Sequence, residues 1–228
     1  MKLTIIVPVY NEINTIAKIL EDLYRVEIKV DKEIIVVDDG SIDGTRDFLA
    51  KVNDPRVKVF YHERNSGKTA GINTGLKHAT GDIIVIQDAD LEYPPCKNYS
   101  VLLEPILEGH ADVVYGSRFL GVHRVFFYWH YFANKFLTVL TNILFDTTLT
   151  DMETGAKAFK REVLGLEEFT SQGFCFEPEV TARVFRKGCR VYEVPITYYG
   201  RSYKEGKKIK PIDGFRAIGA ILRYRFFE

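Results

Sequence analysis

Apolar and polar residues alternate in blocks along the first ninety positions. "KLTIIVPVY" (Lys2 to Tyr10) is a β-branched run closed by Pro8 and Asn11, which predicts a buried parallel strand. In "NEINTIAKILEDLYRV" the spacing puts Ile16, Ile19, Leu20 and Leu23 on one helical face. The alternation then repeats. "KEIIVVDDGS" predicts a strand, "IDGTRDFLAKV" a short helix with Asp43 or Ser41 near its start, and "RVKVFYHE" a third strand after Pro55. "KTAGINTGLKHATG" predicts a helix closed at Gly81, and "DIIVIQDAD" a fourth strand. This rhythm argues for an α/β fold with a mostly parallel central sheet flanked by helices. It puts candidate chemistry in the loops at the C-terminal ends of the strands.

After Asp90 the pattern loosens. "YSVLLEPILEGH" and "FEPEVTARVFRKG" predict helices, and "ADVVYGSRF" and "RVYEVPITYY" predict strands. "DGFRAIGAILRYRFFE" reads as an amphipathic helix whose Phe215, Ile218, Ile221 and Leu222 are expected to pack on the sheet. Val125 to Phe145 is aromatic-rich but interrupted by His130, Asn134, Lys135 and Asn142. It has about the length that a bilayer span of roughly 20 residues needs, without the clean composition. The expectation is a helix pair lying at or partly in a membrane surface, with a buried core helix or a dimer contact as the alternative. No linker rich in Gly, Pro or Ser divides the chain, so residues 1–228 read as a single domain.

Composition narrows the classes. Of 228 residues 46% are hydrophobic and 13% aromatic, which excludes a disordered chain. Thirty-one basic residues balance 31 acidic ones, so the overall charge gives a nucleic-acid partner no support. Cys96, Cys175 and Cys189 are scattered, with no CxxC spacing, which argues against a disulfide framework or a zinc site and fits a cytoplasmic setting. The N-terminus turns polar too early for a signal peptide.

The chemistry is concentrated in "IVIQDADLEYPP" (Ile84 to Pro95), where Asp88, Asp90 and Glu92 crowd together at a strand end. Like charges so close call for a cation, and an oxygen-rich trio suits a hard divalent ion bridging phosphates. A solvated acidic loop is the duller alternative. Against it stands a second acidic pair, Asp38 and Asp39 in "VVDDGSIDGT", also ending an apolar strand; in a parallel sheet both pairs share one edge. Two glycine motifs fail on inspection. "NSGKT" lacks the first Gly of a phosphate-binding loop, since His62 stands there, and "DGSIDG" lacks a calcium loop's closing Glu, since Ala50 stands there. No GxGxxG follows the first strand.

"IIVPVYNE", "VVDDGSIDGT", "NSGKTAGINTGL", "DADLEYPP" and "YGSRF", in this order and spacing, resemble the family 2 glycosyltransferases, which are inverting enzymes with a nucleotide-sugar-binding GT-A-like fold. Within that family the chain resembles the polyprenyl-phosphate sugar transferases of the dolichol-phosphate mannose synthase group. The resemblance implies a nucleotide-sugar-binding half over residues 1–120, and an acceptor-binding half with interfacial helices over residues 121–228. It implies Asp88, Asp90 and Glu92 as ligands of magnesium or manganese, with Glu92 standing where relatives usually have Gln. It implies Pro8, Tyr10, Glu12, Asp38 and Asp39 at the nucleoside and Lys68 near the nucleotide. Arg118 matches a phosphate-facing arginine, and Arg201 and Lys204 match a basic loop over the diphosphate.

Asp90, Asp151, Arg118 and Arg201 form the implied catalytic set, with Asp151 in "LTDMETG" either an acceptor-side base or an organiser of the acceptor pocket. Glu177 and Glu179 at the start of a helix are weaker candidates. Lys204, Lys207, Lys208 and Lys210 read as a solvated loop or as a lid.

The activity this implies is transfer of mannose or glucose from a nucleotide-diphosphate sugar to dolichyl or polyprenyl phosphate. It would take place at the cytoplasmic face of the membrane, with a membrane-protein partner or a homodimer possible. A saccharide acceptor in envelope polysaccharide synthesis and a non-catalytic sugar-nucleotide or lipid-surface binding module are the alternatives.

Overall fold

The structure is a computed structural model. It describes all residues except 126, 166, 167, 172, 174, 203–210 and 228, with the backbone alone at 211–213. Among the described residues seven strands form one sheet: β1 (Lys2–Val9), β2 (Asp31–Asp38), β3 (Val57–Tyr61), β4 (Ile83–Ile86), β5 (Val113–Ser117), β6 (Lys157–Lys160) and β7 (Val191–Pro195). Their order is β3-β2-β1-β4-β6-β5-β7. The β1–β2, β2–β3, β1–β4 and β5–β7 ladders are parallel, and β6 runs antiparallel to both of its neighbours.

The helices are α1 (Ile16–Arg25), α2 (Thr45–Leu49), α3 (Lys68–His78), α4 (Pro95–Leu107), α5 (Tyr128–Phe145), α6 (Arg161–Leu164), α7 (Phe176–Arg186) and α8 (Pro211–Phe226). Strand period two explains the two cores. Leu3, Ile5, Val7 and Val9 of β1 join Val85 of β4 and the inner faces of α1 and α4 in one core, while Ile6, Ile84 and Ile86 face Ile72, Leu137 and Val180 in the other. Both faces of the central strands are therefore covered, which is why they read as unbroken apolar runs. The α1 face predicted from spacing is the buried one: Ile16, Ile19, Leu20 and Leu23. In α3, Gly71 lies over Pro8 and Gly75 over Ile6. The helix rides close on β1, and a Cβ at Gly75 would overlap the Ile6 side chain.

Two elements depart from expectation. β6 has no counterpart in the sequence reading, because four residues with lysine at each end carry no strand signature; it is inserted between β4 and β5 and brings "TDMETG" beside β4. The aromatic stretch forms one helix, not a pair. α5 buries Leu137, Thr138 and Thr141 and packs against α8 and α7, while Trp129, Phe132, Phe136, Val139 and Ile143 lie exposed. Among the described residues no helix is long and apolar enough to cross a membrane. Helix α8 packs on α7 and α5, burying Ala217, Ile221 and Tyr224, with Phe215 exposed and Leu222 only partly covered, so the expected face is rotated.

Candidate active site

The chain runs outward from β1 through β2 to β3 and returns to β4 on the other side of β1. That reversal opens a crevice at the C-terminal ends of β1, β2 and β4. Both acidic clusters follow the C-terminal ends of strands that flank β1. At the end of β2, Gly40 takes φ +74 and presses against the backbone of Arg64 and Asn65, a contact only glycine permits. Asp39 accepts hydrogen bonds from the backbone N–H of Ser66 (2.9 Å) and Gly67 (2.7 Å), and from His62 Nδ1 at 2.7 Å. Its carboxylate therefore shapes the 62–67 loop that starts α3. The neighbouring Asp38 is fully buried, and its Oδ2 accepts no hydrogen bond.

Pro8 lies under α3, Tyr10 is exposed at the crevice, and Glu12 lies within electrostatic reach of Arg201. At the end of β4, Leu91 sits at φ +65 between the acids, a conformation a branched side chain adopts only under constraint. Asp88 Oδ1 pairs with Lys68 Nζ at 2.8 Å, and Lys68 also donates to Glu177 Oε1 at 3.1 Å. Burial alone would lower the Lys68 pKa, but Asp88 and Glu177 outweigh it and hold the ammonium charged. Asp90 Oδ2 accepts from Arg201 Nη2 at 2.8 Å. Burial, Asp88 and Glu92 push the Asp90 pKa up to about 7. Two carboxylates so crowded, each already holding a cation, suit a hard divalent ion, and Asp88 and Asp90 are the residues that would hold one.

Glu92 turns elsewhere. Its Oε1 accepts from Arg201 N (2.9 Å) and Nε (3.3 Å), and its Oε2 from the Tyr198 hydroxyl (2.8 Å). Among the described residues no three His, Cys, Asp or Glu side chains are gathered as a metal cluster, so the structure does not bring the expected trio together.

Arg118 and Asp151 also pair with each other, not with open crevice. Asp151, 0% exposed, accepts from Arg118 N (3.0 Å), Nε (2.7 Å) and Nη2 (2.7 Å). The guanidinium reaches Asn134 Oδ1 at 3.2 Å and lies over the Tyr198 ring. Glu179 is held by Thr170 N, Ser171 N and Arg183. Lys204 and the other lysines of the expected lid fall outside the described residues.

The structure adds a group that the motifs miss. Glu153 lies in the loop before β6, within electrostatic reach of Glu177, Lys157, Arg118 and Asp151. Gly155, two residues on, packs against Asp88 Oδ2. Lys157 is buried and donates to the carbonyls of Met152 and Thr154, on either side of Glu153. No residue spacing separates Glu153 from an ordinary loop acid; only the insertion of β6 brings it to the site.

The profile described as Glycosyl transferase family 2 matches residues 4–165. The chain is 32% identical over 209 residues to the polyprenol monophosphomannose synthase of Mycolicibacterium smegmatis, covering 86% of this chain and 77% of that one. It is 31% identical over 220 residues to the undecaprenyl-phosphate mannosyltransferase of Micrococcus luteus, covering 91% and 87%. In structure it is similar to glucosyl-3-phosphoglycerate synthase of Mycobacterium tuberculosis in complex with Mn2+, UDP and phosphoglyceric acid, with a TM-score of 0.76, 21% identity, and coverage of 100% of this chain and 79% of that one. Other crystals of that enzyme contain Mg2+ with UDP, or Mn2+ with UDP-glucose and glycerol 3-phosphate.

These findings correct the expected acceptor and partners. The fold that matches this chain over its whole length occurs with small water-soluble acceptors, phosphoglyceric acid and glycerol 3-phosphate. It thus houses acceptor chemistry without the dolichyl or polyprenyl phosphate, the membrane surface or the membrane-protein partner expected from the motifs.

Proposed function

The chain belongs to glycosyltransferase family 2, and on that premise we propose that it transfers a hexosyl residue from a uridine-diphosphate sugar to a small water-soluble acceptor bearing a phosphate. One observation carries the reading. Asp88 and Asp90 close the C-terminal end of β4, and each is paired with a cation from a distant part of the chain, Lys68 or Arg201. The sequence relatives are named for phosphate-bearing acceptors, and the structural relative was crystallised with phosphoglyceric acid, so acceptor phosphate is the chemistry both share.

Asp88 and Asp90 would hold a divalent cation, which would supply positive charge at the diphosphate. The chain's own residues do the rest. Residues 1–120 hold the donor, with the Oδ2 of Asp38, which accepts no hydrogen bond and lies 3.5 Å from Arg46 Nε, as the acceptor for a base N–H, and residues 121–228 hold the acceptor. Lys68 and Arg201, already beside the carboxylates, neutralise charge on the departing nucleoside diphosphate. Glu92, itself held by the Tyr198 hydroxyl, holds the backbone and side chain of Arg201 in place. Displacement in one step from the opposite face gives inversion at the anomeric carbon.

The test is a matrix of UDP-, GDP- and ADP-sugars against glycerol 3-phosphate, phosphoglyceric acid and a short polyprenyl phosphate, with manganese, magnesium or chelator. Expected is transfer from a UDP-sugar to a phosphate-bearing water-soluble acceptor, lost with chelator, giving a product of inverted anomeric configuration by NMR. Transfer to polyprenyl phosphate alone, or undiminished transfer with chelator, refutes it.

A further inference from the structure

Resting on that reading, we propose that Glu153 is the general base that takes the proton from an acceptor hydroxyl, so that the nucleophile is a hydroxyl oxygen and not a phosphate oxygen. The argument begins with where each carboxylate near the acceptor side is engaged. Asp151 is committed to Arg118 through three hydrogen bonds. Glu177 is tied to Lys68, and Glu179 to Thr170, Ser171 and Arg183. Glu193 accepts from the backbone of Thr150 and Asp151. Glu153 differs: its Oε1 is shut off from solvent and accepts no hydrogen bond. A buried carboxylate oxygen without a donor is costly unless a ligand supplies one, and an acceptor hydroxyl is such a donor.

The place is also right. Glu153 lies within electrostatic reach of Glu177, Lys157, Arg118 and Asp151, and two residues from Gly155, which packs against Asp88 Oδ2. Burial, then Glu177, push its pKa up to about 8, and burial brings Lys157 down to about 8. A base poised near the working pH is efficient. An acceptor already anionic at its nucleophilic oxygen would need no base, so an unengaged carboxylate argues for a hydroxyl nucleophile. In the step, the hydroxyl proton passes to Glu153 while the acceptor oxygen bonds to the anomeric carbon. The bond from that carbon to the diphosphate breaks, and its electron pair leaves with the nucleoside diphosphate.

The test compares wild type with Glu153→Gln, Glu153→Asp and Lys157→Met. Glu153→Gln should cut kcat for a hydroxyl acceptor by about 10²- to 10⁴-fold, with UDP affinity in the presence of manganese unchanged. Glu153→Asp should recover part of the rate. Wild-type kcat/KM should rise with pH and level off above about 8, and the profile should be flat in Glu153→Gln. In Lys157→Met the inflection should move upward, because a cation near Glu153 is lost; an inflection that disappears there but persists in Glu153→Gln assigns it to Lys157 and overturns the inference.

Without any substrate, the infrared difference between wild type and Glu153→Gln should carry a protonated-carboxyl band that fades as pH rises through about 8. Its absence also overturns the inference. Transfer to a hydroxyl acceptor undiminished in Glu153→Gln overturns this inference alone. Transfer only to polyprenyl phosphate, equal in both proteins, overturns it together with the function it rests on.

Discussion

Replacing Asp151 with Ala separates a structural role from a chemical one. Asp151 is 0% exposed and Arg118 8%, and three hydrogen bonds of 2.7 to 3.0 Å join them. The mutation leaves a buried guanidinium with Asn134 as its side-chain acceptor among the described residues. Breaking a buried pair from one side costs about 3–5 kcal/mol, because the remaining charge stays desolvated. For a chain of this size each kcal/mol shifts Tm by about 2–4 °C, so the expected fall is about 6–20 °C. Urea unfolding of Asp151→Ala, Arg118→Met and the double variant completes the cycle. The double variant should be markedly more stable than the sum of the single losses, since it removes the stranded charge. If Asp151→Ala unfolds within about 0.5 kcal/mol of wild type, or the cycle is additive to about that margin, the pair is not structural. Lost turnover in such a stable variant would return Asp151 to the role of base.

Three further outcomes follow from packing and charge. Gly75→Ala drives a methyl into Ile6, where α3 rides on β1, and should lower stability by about 1–3 kcal/mol in urea titration without changing nucleotide affinity. Glu92→Ala frees Arg201 and should weaken UDP binding by about tenfold, or about 1.4 kcal/mol, by calorimetry at an unchanged Tm; an unchanged affinity would mean that Glu92 does not position Arg201. Burial would raise the Glu33 pKa, but hydrogen bonds from Thr4, Lys2 and Thr80 outweigh it and hold it far below the ordinary 4.5. Its contribution is therefore present above pH 4.5 and lost as acid protonates the folded form. Glu33→Gln should lower the urea midpoint at pH 7 and flatten its decline below pH 4.5.

Much of residues 1–120 was legible because the cues there are local. Unbroken β-branched apolar runs in β1, β2 and β4, the helical spacing of the α1 face, and acids directly after the apolar runs specify strands, a helix and a sheet edge within windows of ten residues. Motif order also pointed to Lys68 and Arg201 as cations of the site, and the structure sets both against its carboxylates. Residues 121–228 were less legible. β6 carries no strand pattern of its own and exists because β4 and β5 offer it edges on both sides. Arg118 and Asp151 were read as two separate groups facing substrates, though they are 33 residues apart in sequence and joined in space.

By itself the sequence determined which segments are strands and helices in the first ninety residues, that their sheet is mostly parallel, and that acids and cations collect at one edge. These follow from periodicity and residue chemistry, which act over short distances. Only the tertiary structure decided which charges neutralise one another: Glu92 against Arg201, Asp151 against Arg118, Glu177 against Lys68 across 109 residues. A carboxylate's role depends on whether a donor already occupies it. That is set by long-range packing, and the packing leaves the Oε1 of Glu153 without a hydrogen bond, within electrostatic reach of the Arg118–Asp151 pair.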